Sequence, residues 1–406
     1  MSDIRLGDPD TFAHGVPHEE LAEARRTTPV AWQELDGEAG FWAVLRHADV
    51  VTVARDPERF SAERGGVVVE DLAPESLEMM RNMLLVMDPP RHGTYRRPLA
   101  ETFKAKVIGD LEPQIRAICR DLMAEAAEKG PELELVHDVT AGLPTRVMGR
   151  LMGLPEADWA LLHTLAERQT AGQDPDSNPP GPDGAAPDFS ASIDMALYAI
   201  EFAGQRRAQV GEAPADLTTL ILDSDFGGQA MSDVDFGSFF VQLVTAGNDT
   251  TKTMLSSGLL ALLGHPDQLA ALRADPSQVA GAVEEILRWA NPLHYFRRTA
   301  TVDAELSGTT IAAGDKVAMS YTSANRDEAV FADPQRFDIG RSPNPHVSFG
   351  IGEHFCLGVH LARLEGRVFF EELLAAFETI ELAGDPVRLR SNLNNSHRSM
   401  PVRLTR

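Results

Sequence analysis

The sequence is poor in cysteine, in basic residues and in long hydrophobic runs. It has two cysteines in 406 residues, and that number excludes a disulfide framework. No apolar run approaches the roughly 20 residues of a membrane span, and the first residues, Met1 to Arg5, lack the pattern of a signal peptide. Lys and Arg number 37 against 61 Asp and Glu, a net charge of -24. We therefore expect a cytoplasmic protein that binds neither nucleic acid nor a membrane.

The chain contains what a large globular core needs. Hydrophobic residues make up 43% and charged residues 24% of it. Helical periodicity dominates, and strand-like runs are short, as in the hairpin predicted between Val30 and Leu45. No repeat or long linker divides the sequence, so we expect one domain over residues 1–406. The predicted fold class is mainly α with a small β subdomain.

One of the two cysteines lies in a glycine-rich segment, Ser348–Gly358. Three glycines surround Cys356 and allow the backbone amides to approach the sulfur. A predicted helix begins at Val359, and its unpaired N–H groups favour a thiolate at Cys356. A single thiolate does not make a structural zinc site, and the segment lacks the third glycine of a dinucleotide-binding loop. It indicates either a thiolate ligand for haem iron or a buried structural cysteine.

The segment resembles the haem-binding motif of the cytochrome P450 superfamily. Every defined position of that motif is matched, by Phe349, Gly352, His354, Cys356 and Gly358. The resemblance implies the cytochrome P450 fold, a triangular helical prism around haem b. It also implies that Cys356 is the metal ligand and that Phe349, His354 and Gly358 contact the haem.

A second motif lies in a predicted helix of some thirty residues, 231–264. Its apolar pattern is interrupted by a polar run, Thr245–Thr251, a local violation of the kind that marks functional sites. By resemblance to the acid and alcohol pair of cytochromes P450, Asp249 and Thr250 are the catalytic residues that deliver protons for oxygen activation. Gln242 and Ala246 share their helix face and are expected beside the substrate, with Ala246 also against the haem. The alternative is a solvated kink.

Three further residues resemble the haem-propionate ligands of the family. His92 and Arg96 fall one turn apart on a helix that begins after Pro89-Pro90, and Arg298 lies in a predicted strand. A solvated basic face is the alternative for the helical pair. The residues before Arg298 in the same strand, Leu293, Tyr295 and Phe296, are expected to border the substrate or to be core.

Glu285 and Arg288 resemble the Glu-x-x-Arg motif of the family. That motif implies a structural ion network with a later arginine, which we predict to be Arg336. Cys119 lies on an apolar helical stripe and is predicted to be core.

The resemblance implies a haem-thiolate monooxygenase that inserts one oxygen atom from O₂ into a C–H bond of an apolar small molecule. Terpenoids, alkyl or aryl hydrocarbons and steroid-like compounds are the expected substrates, and the loops at 61–87 and 172–189 are expected to select among them. The chain has no flavin or pyridine-nucleotide motif, so electrons are expected from a ferredoxin and ferredoxin reductase. Candidate docking residues are Lys104, Lys106, Arg363 and Arg367. The alternatives are a peroxide-driven peroxygenase and a non-enzymatic haem sensor of the same fold.

Overall fold

The computed structural model describes residues 4–171, 173–177, 190–209 and 216–406. Most of the predicted loop at 172–189 therefore lies outside the described residues. The α-helices, in chain order, are α1 Asp10–Ala13, α2 His18–Thr27, α3 His47–Ala54, α4 Pro74–Met80, α5 Arg91–Thr102, α6 Ala105–Gly109, α7 Glu112–Lys129, α8 Gly142–Leu151, α9 Trp159–Thr170, α10 Ser190–Ala208, α11 Leu217–Asp223, α12 Asp233–Leu263, α13 Pro266–Ala274, α14 Val279–Ala290, α15 Tyr321–Ala324 and α16 Val359–Ala376. A π-helical turn, Val136–Thr140, precedes α8.

The strands form small sheets at the edge of the helical body. They are β1 Val30–Leu35, β2 Glu38–Val44, β3 Phe60–Ser61, β4 Glu132–Glu134, β5 Tyr295–Ala300, β6 Ala304–Leu306, β7 Thr309–Ile311, β8 Lys316–Ser320, β9 Thr379–Leu382, β10 Val387–Arg388, β11 His397–Ser399 and β12 Pro401–Thr405. The largest sheet has the order β1-β2-β8-β5-β3, with β2 and β8 parallel. The predicted hairpin is present as β1 and β2, paired antiparallel. The predicted fold class, mainly α with a small β part, is confirmed.

Helix α12 crosses the core. It begins where predicted, because the Ser232 hydroxyl accepts a hydrogen bond from the Asp235 N–H at 3.1 Å. The helix packs against α8, α9, α10, α14 and α16. Its closest approach to α16 uses a glycine, since a Cβ at Gly366 would lie 2.9 Å from Met254 Cε. Within the described part of the chain, none of the helices has an apolar stretch that could cross a membrane.

Helix α16 carries a buried carboxyl group, Glu365. Its side chain is 2% exposed, and its Oε2 atom has no hydrogen-bond partner. Burial raises the pKa of Glu365 from 4.5 to about 8. The folded state therefore keeps a proton that the unfolded chain loses above pH 4.5, so this group makes the protein less stable as pH rises from 4.5 to 8.

We predict that Glu365→Gln, which is neutral at every pH, removes this loss of stability. Below pH 4.5 the variant and the parent should be about equally stable. Above pH 8 the variant should gain on the order of 5 kcal/mol, at about 1.4 kcal/mol for each unit of pKa difference. Thermal unfolding followed by circular dichroism at a series of pH values measures the difference. The matched control is Glu378→Gln, at an exposed position next to the C-terminal end of α16. A gain that is the same at pH 5 and pH 8 would contradict the assignment.

Candidate active site

The loop before α16 is a tight turn that holds Cys356. The Cys356 N–H donates to the Phe349 carbonyl at 2.8 Å, which closes the loop. Gly350 and Gly352 have φ of +69° and +71°, a conformation that glycine adopts without strain. A Cβ at Gly352 would also lie 2.5 Å from the Ala54 carbonyl oxygen. The glycines are therefore needed for the turn and for its packing against α3.

The sulfur lies in a setting with opposing effects on its charge. Burial raises the pKa of the Cys356 thiol, whereas the Gly358 N–H bond and the charges of Arg96 and Arg363 lower it. The amide expected to contact the sulfur is thus present, but desolvation has the larger effect on the free thiol. A metal ion bound to the sulfur would remove this opposition, because coordination deprotonates a thiol outright. A Cβ at Gly358 would meet no protein atom within 4 Å, so the space beside the sulfur is open.

Basic side chains from three elements meet beside the loop. His92 and Arg96 lie on α5, Arg298 on β5 and His354 in the loop, with the His92 and His354 rings 4.4 Å apart. Arg96 donates to the Phe355 carbonyl at 2.6 Å. Burial, together with Arg298 and other nearby cations, lowers the pKa of His354 to about 2. The structure brings together the residues predicted to bind the propionates.

This cluster has unused hydrogen-bonding capacity. The Nε2 atoms of His92 and His354 are buried and have no partner among the described residues. Arg298 is 4% exposed, and its guanidinium donates to the carbonyl of the adjacent Arg297 at 2.8 Å. In the described part of the chain, no ion pair includes Arg96 or Arg298. A set of buried donors without carboxylate partners suits an anionic ligand.

The middle of α12 presents an open face. Ala246 is exposed and Thr250 is half-buried, although most of the helix around them is buried. The Thr250 hydroxyl donates to the Ala246 carbonyl at 2.8 Å, a bond that a threonine inside a helix can make to the preceding turn. Gln242, one turn earlier, accepts a hydrogen bond from the Leu85 N–H at 3.3 Å. The helix is continuous from Asp233 to Leu263, so the polar run does not interrupt it.

The glycine of this run, Gly247, lies against a neighbouring helix. A Cβ at Gly247 would lie 2.8 Å from the Met148 sulfur, so the missing side chain makes room for α8 and not for a ligand. Only Ala246 of the two small residues faces the open side.

Asp249 faces the other side of α12. It is 5% exposed, and its carboxylate pairs with the Lys252 ammonium at 3.0 Å. Lys252 also donates to Glu167 of α9 at 3.0 Å. Although burial opposes a charge on Lys252, the two carboxylates raise the pKa of its ammonium. Asp249 thus belongs to a buried network of alternating charges, adjacent in sequence to the Thr250 hydroxyl.

Strand β5 separates the predicted substrate residues into two groups, because alternate side chains point to opposite faces. Phe296 lies on the same face as Arg298, and its ring is 6.0 Å from that of Tyr321. Tyr295 lies on the opposite face, where its hydroxyl accepts a hydrogen bond from the Val69 N–H at 3.1 Å. There it packs with Phe12, Phe41 and other buried residues. The prediction that Tyr295 borders the substrate is wrong, and Tyr295 is core. Leu293, which precedes the strand, is half-buried.

The comparisons with known proteins agree with this geometry. Residues 190–398 match the family model described as Cytochrome P450. Over 414 residues, the chain is 34% identical to a steroid C26-monooxygenase of Mycolicibacterium smegmatis, with 100% of this chain and 94% of the relative covered. The chain is a cytochrome P450. It is also 37% identical over 418 residues to a methyl-branched lipid omega-hydroxylase of Mycobacterium bovis, covering 99% of this chain and 95% of that one.

Solved structures of cytochromes P450 share the fold. A Mycobacterium marinum cytochrome P450 in complex with pseudoionone has a TM-score of 0.89 and 38% identity, covering 95% of this chain and 94% of the other. The P450 of Novosphingobium aromaticivorans called CYP108D1 has a TM-score of 0.87 and 30% identity, covering 100% and 99%. The protein is thus a monooxygenase of the haem-thiolate class.

The residues present fit a haem. Cys356 offers a sulfur ligand beside open space at Gly358, and the side chains of His92, Arg96, Arg298 and His354 offer hydrogen-bond partners for two carboxylates. When bound, the haem supplies the oxygen-activating chemistry of this class. The Phe349 ring, packed under the Arg363 guanidinium at 5.0 Å from its centroid, supports the loop.

Beside the haem site, this P450 has a fully buried ion network around Glu285. The Glu285 carboxylate accepts two hydrogen bonds from Arg288, at 2.7 and 2.8 Å. Its other cation is Arg341, whose Nε lies 3.1 Å from Oε2. The Arg336 side chain is 63% exposed and lies 4.0 Å from Asp338, and only its backbone carbonyl reaches Arg288. The predicted role of Arg336 is therefore wrong, and Arg341 occupies it.

Sequence reasoning missed other residues that position the site. The Asn325 amide accepts a hydrogen bond from the Val347 N–H and donates to the Ser348 hydroxyl, both at 2.8 Å, and so anchors the start of the cysteine loop. No sequence pattern marks Asn325. Lys252 had a signal, because it follows Asp249 by three residues in an otherwise apolar helix.

Proposed function

We propose that this P450 hydroxylates an apolar molecule of the steroid or methyl-branched lipid class. The observation that carries the proposal is the open apolar face of α12 at Ala246, in a helix most of whose residues are buried. The side chains expected around it, Leu293 and Phe296, are also apolar. The one amide expected there, Gln242, is already bonded to the Leu85 N–H. A site so short of free polar groups favours a hydrocarbon substrate. Two relatives are named for oxidation of such molecules.

Within this proposal, Cys356 ligates haem b through its sulfur. Arg96 and Arg298 would neutralise the propionates, His92 and His354 would hydrogen-bond to them, and Phe349, Gly358 and Ala246 would contact the macrocycle. The buried Nε2 atoms of His92 and His354 support this assignment, because they would otherwise remain unsatisfied. Arg96 and Arg298 support it because each donates to a backbone carbonyl but has no carboxylate partner among the described residues. The helix α12 face at Gln242 and Ala246, with Leu293 and Phe296, then orients the substrate and excludes water.

We assign proton delivery to Asp249 and Thr250. Thr250 holds its hydroxyl at the open face by donating to the Ala246 carbonyl. Asp249 is adjacent in sequence and faces the ion network with Lys252 and Glu167. When the ion pair with Lys252 separates, the Asp249 carboxylate would take up a proton. It would then pass that proton toward Thr250. The pairing of Asp249 with Lys252 supports a gate that opens only when the ion pair separates.

Electrons are proposed to come from an acidic ferredoxin, reduced by a ferredoxin reductase. The chain has a charge of -24, so an acidic partner needs a local basic surface. Of the four predicted docking residues, Arg363 pairs with Glu284 at 2.7 Å and Arg367 with Glu112 at 2.5 Å. Lys104 is exposed and pairs with Glu101, and Lys106 is exposed with no ion pair among the described residues. Lys104 and Lys106 are the better candidates.

The substitution Thr250→Ala tests the proposed monooxygenase reaction. With a surrogate ferredoxin and reductase and a steroid or branched-lipid substrate, product formation should fall on the order of a hundredfold, because a positioned proton donor is lost. Oxygen consumption should continue, and the reduced oxygen should leave as hydrogen peroxide. Product by chromatography, oxygen by electrode and peroxide by a coupled assay give the three rates.

The matched control is Thr251→Ala, which changes the adjacent threonine, whose side chain is buried at 4% exposure. This variant should remain coupled. If Thr250→Ala keeps full turnover when driven by hydrogen peroxide alone, and the parent does not use O₂, the peroxygenase alternative replaces the proposal.

A further inference from the structure

Two histidines and a glutamate lie close together beside Lys252 of α12. His163 and Glu167 are one turn apart on α9, and His137 lies in the π-helical turn before α8. The His163 Nε2 atom is 3.4 Å from Glu167 Oε2, and the His137 Nδ1 atom is 3.7 Å from Oε1. A ligand atom from each of the three lies within 4.8 Å of the other two.

These separations match a metal site with little rearrangement. Zinc binds imidazole nitrogen and carboxylate oxygen at about 2.0–2.2 Å in tetrahedral geometry, which places neighbouring ligand atoms roughly 3.4 Å apart. The His163 Nε2 atom lies 3.4 Å from Glu167 Oε2, which equals this ligand separation, whereas the His137 Nδ1 atom lies 3.7 Å from the other carboxylate oxygen, Oε1. Both distances exceed ordinary N–H···O hydrogen-bond lengths.

The hydrogen bonds of His163 orient the ring for a metal ion. Its Nδ1 is 3.2 Å from the Thr145 hydroxyl oxygen, and that hydroxyl donates its own proton to the Ala141 carbonyl at 2.8 Å. The Thr145 oxygen therefore accepts from His163, so the ring proton is on Nδ1. The Nε2 lone pair then points at the Glu167 carboxylate. Two acceptors that face each other repel, which a cation between them would relieve, and metal-bound histidines have this outer hydrogen bond.

We propose that His137, His163 and Glu167 form a binding site for one divalent metal ion, with Zn²⁺ the best match to two imidazoles and one carboxylate. A water molecule completes the tetrahedron. The His137 side chain is 51% exposed, which leaves an entry path from solvent. The net charge of -24 concentrates cations near the surface. Lys252 bonds Glu167 through Oε1, so Oε2 is available to the metal.

The site also connects with Asp249. Lys252 lies between Glu167 and Asp249, at 3.0 Å from each. A divalent ion on Glu167 would repel the Lys252 ammonium and hold it toward Asp249, where it keeps the carboxylate from a proton. This coupling rests on the proposed role of Asp249, and it makes zinc an inhibitor of turnover.

The first test is zinc binding by the haem-loaded protein. After equilibrium dialysis, elemental analysis should find one zinc per chain in the parent. The double variant His137→Ala/His163→Ala should lose it. Thr145→Val should weaken the affinity by about ten- to a hundredfold, the usual effect of losing an outer-shell partner. X-ray absorption at the zinc edge should show two imidazole nitrogens. The control His14→Ala, at an exposed histidine of the N-terminal region, should bind like the parent.

Zinc that is absent from the parent, or retained equally by the double variant, would overturn the site. Binding does not depend on turnover, so this result is separate from the proposed function. In the turnover assay, zinc should slow the parent and leave the double variant unaffected. If zinc binds at the site but does not slow the parent, the coupling to Asp249 is wrong.

Discussion

Replacing Cys356 with serine is expected to abolish the strongly red-shifted Soret band of the reduced, carbon monoxide-treated protein and to reduce product formation to background. Serine is close to cysteine in size, and the loop is held by bonds that the substitution leaves in place. These are the Cys356 N–H to the Phe349 carbonyl and the bonds of Asn325 to Val347 and Ser348. Only the sulfur is lost, and with it the electron donation of a thiolate to iron. Absorption spectra of purified parent and variant measure the effect.

The chain contains a matched control for this experiment. Cys119 is fully buried on α7, and burial raises the pKa of its thiol above the ordinary value. Cys119→Ala should leave the red-shifted band unchanged and cost only packing energy. A band that survives in Cys356→Ser, or disappears in Cys119→Ala, would remove Cys356 from its role as the iron ligand.

Replacing Glu285 with glutamine is expected to cost about 3–5 kcal/mol of stability, the range for removing one partner of a buried ion pair. Both Glu285 and Arg288 have 0% exposed side chains, so the Arg288 guanidinium would keep its charge without a counter-ion. Glu285 also accepts bonds from the Asp338 N–H at 2.9 Å and from Asn344 at 3.2 Å. The segment that leads to Cys356 would lose these two bonds to Glu285, and haem content should fall with stability. Chemical unfolding and haem-to-protein ratio measure the two effects.

Two arginine variants separate the network in the structure from the one predicted. Arg341→Ala should destabilise the protein by about 1–3 kcal/mol, because it leaves Glu285 with one cation and unused acceptors. Arg336→Ala should change stability by less than about 0.5 kcal/mol, since its side chain is exposed. A larger loss in Arg336→Ala than in Arg341→Ala would restore the original prediction.

Local patterns were reliable where the determinant is short in sequence. The cap at Ser232, the length of α12 and the glycine turn around Cys356 each depend on residues within a few positions of one another. The bond from Thr250 back to Ala246 follows from helical spacing alone. The family motifs are also readable from the sequence, because each consists of residues that are close together in the chain.

Contacts between segments that are distant in sequence could not be predicted from local patterns. Arg336 and Arg341 are close to each other in sequence, so the sequence does not show which of them contacts Glu285. Backbone packing decides which side chain is buried against it. The face of β5 that Tyr295 occupies depends on the segment around Val69, more than two hundred residues earlier. The need for a glycine at position 247 depends in the same way on Met148 of α8, which is distant in sequence.

The sequence by itself determined the mainly α fold, the glycine-rich loop around Cys356 and the placement of Asp249 and Thr250 in one long helix, because each is encoded by residue type and short spacing. Only the tertiary structure decided that Arg341 completes the Glu285 network, that Tyr295 is core, and that Asp249 pairs with Lys252 beside Glu167 and His163. These outcomes depend on which helices and strands pack together. Where two side chains could fill the same role by sequence alone, burial in the folded chain decides which of them does so.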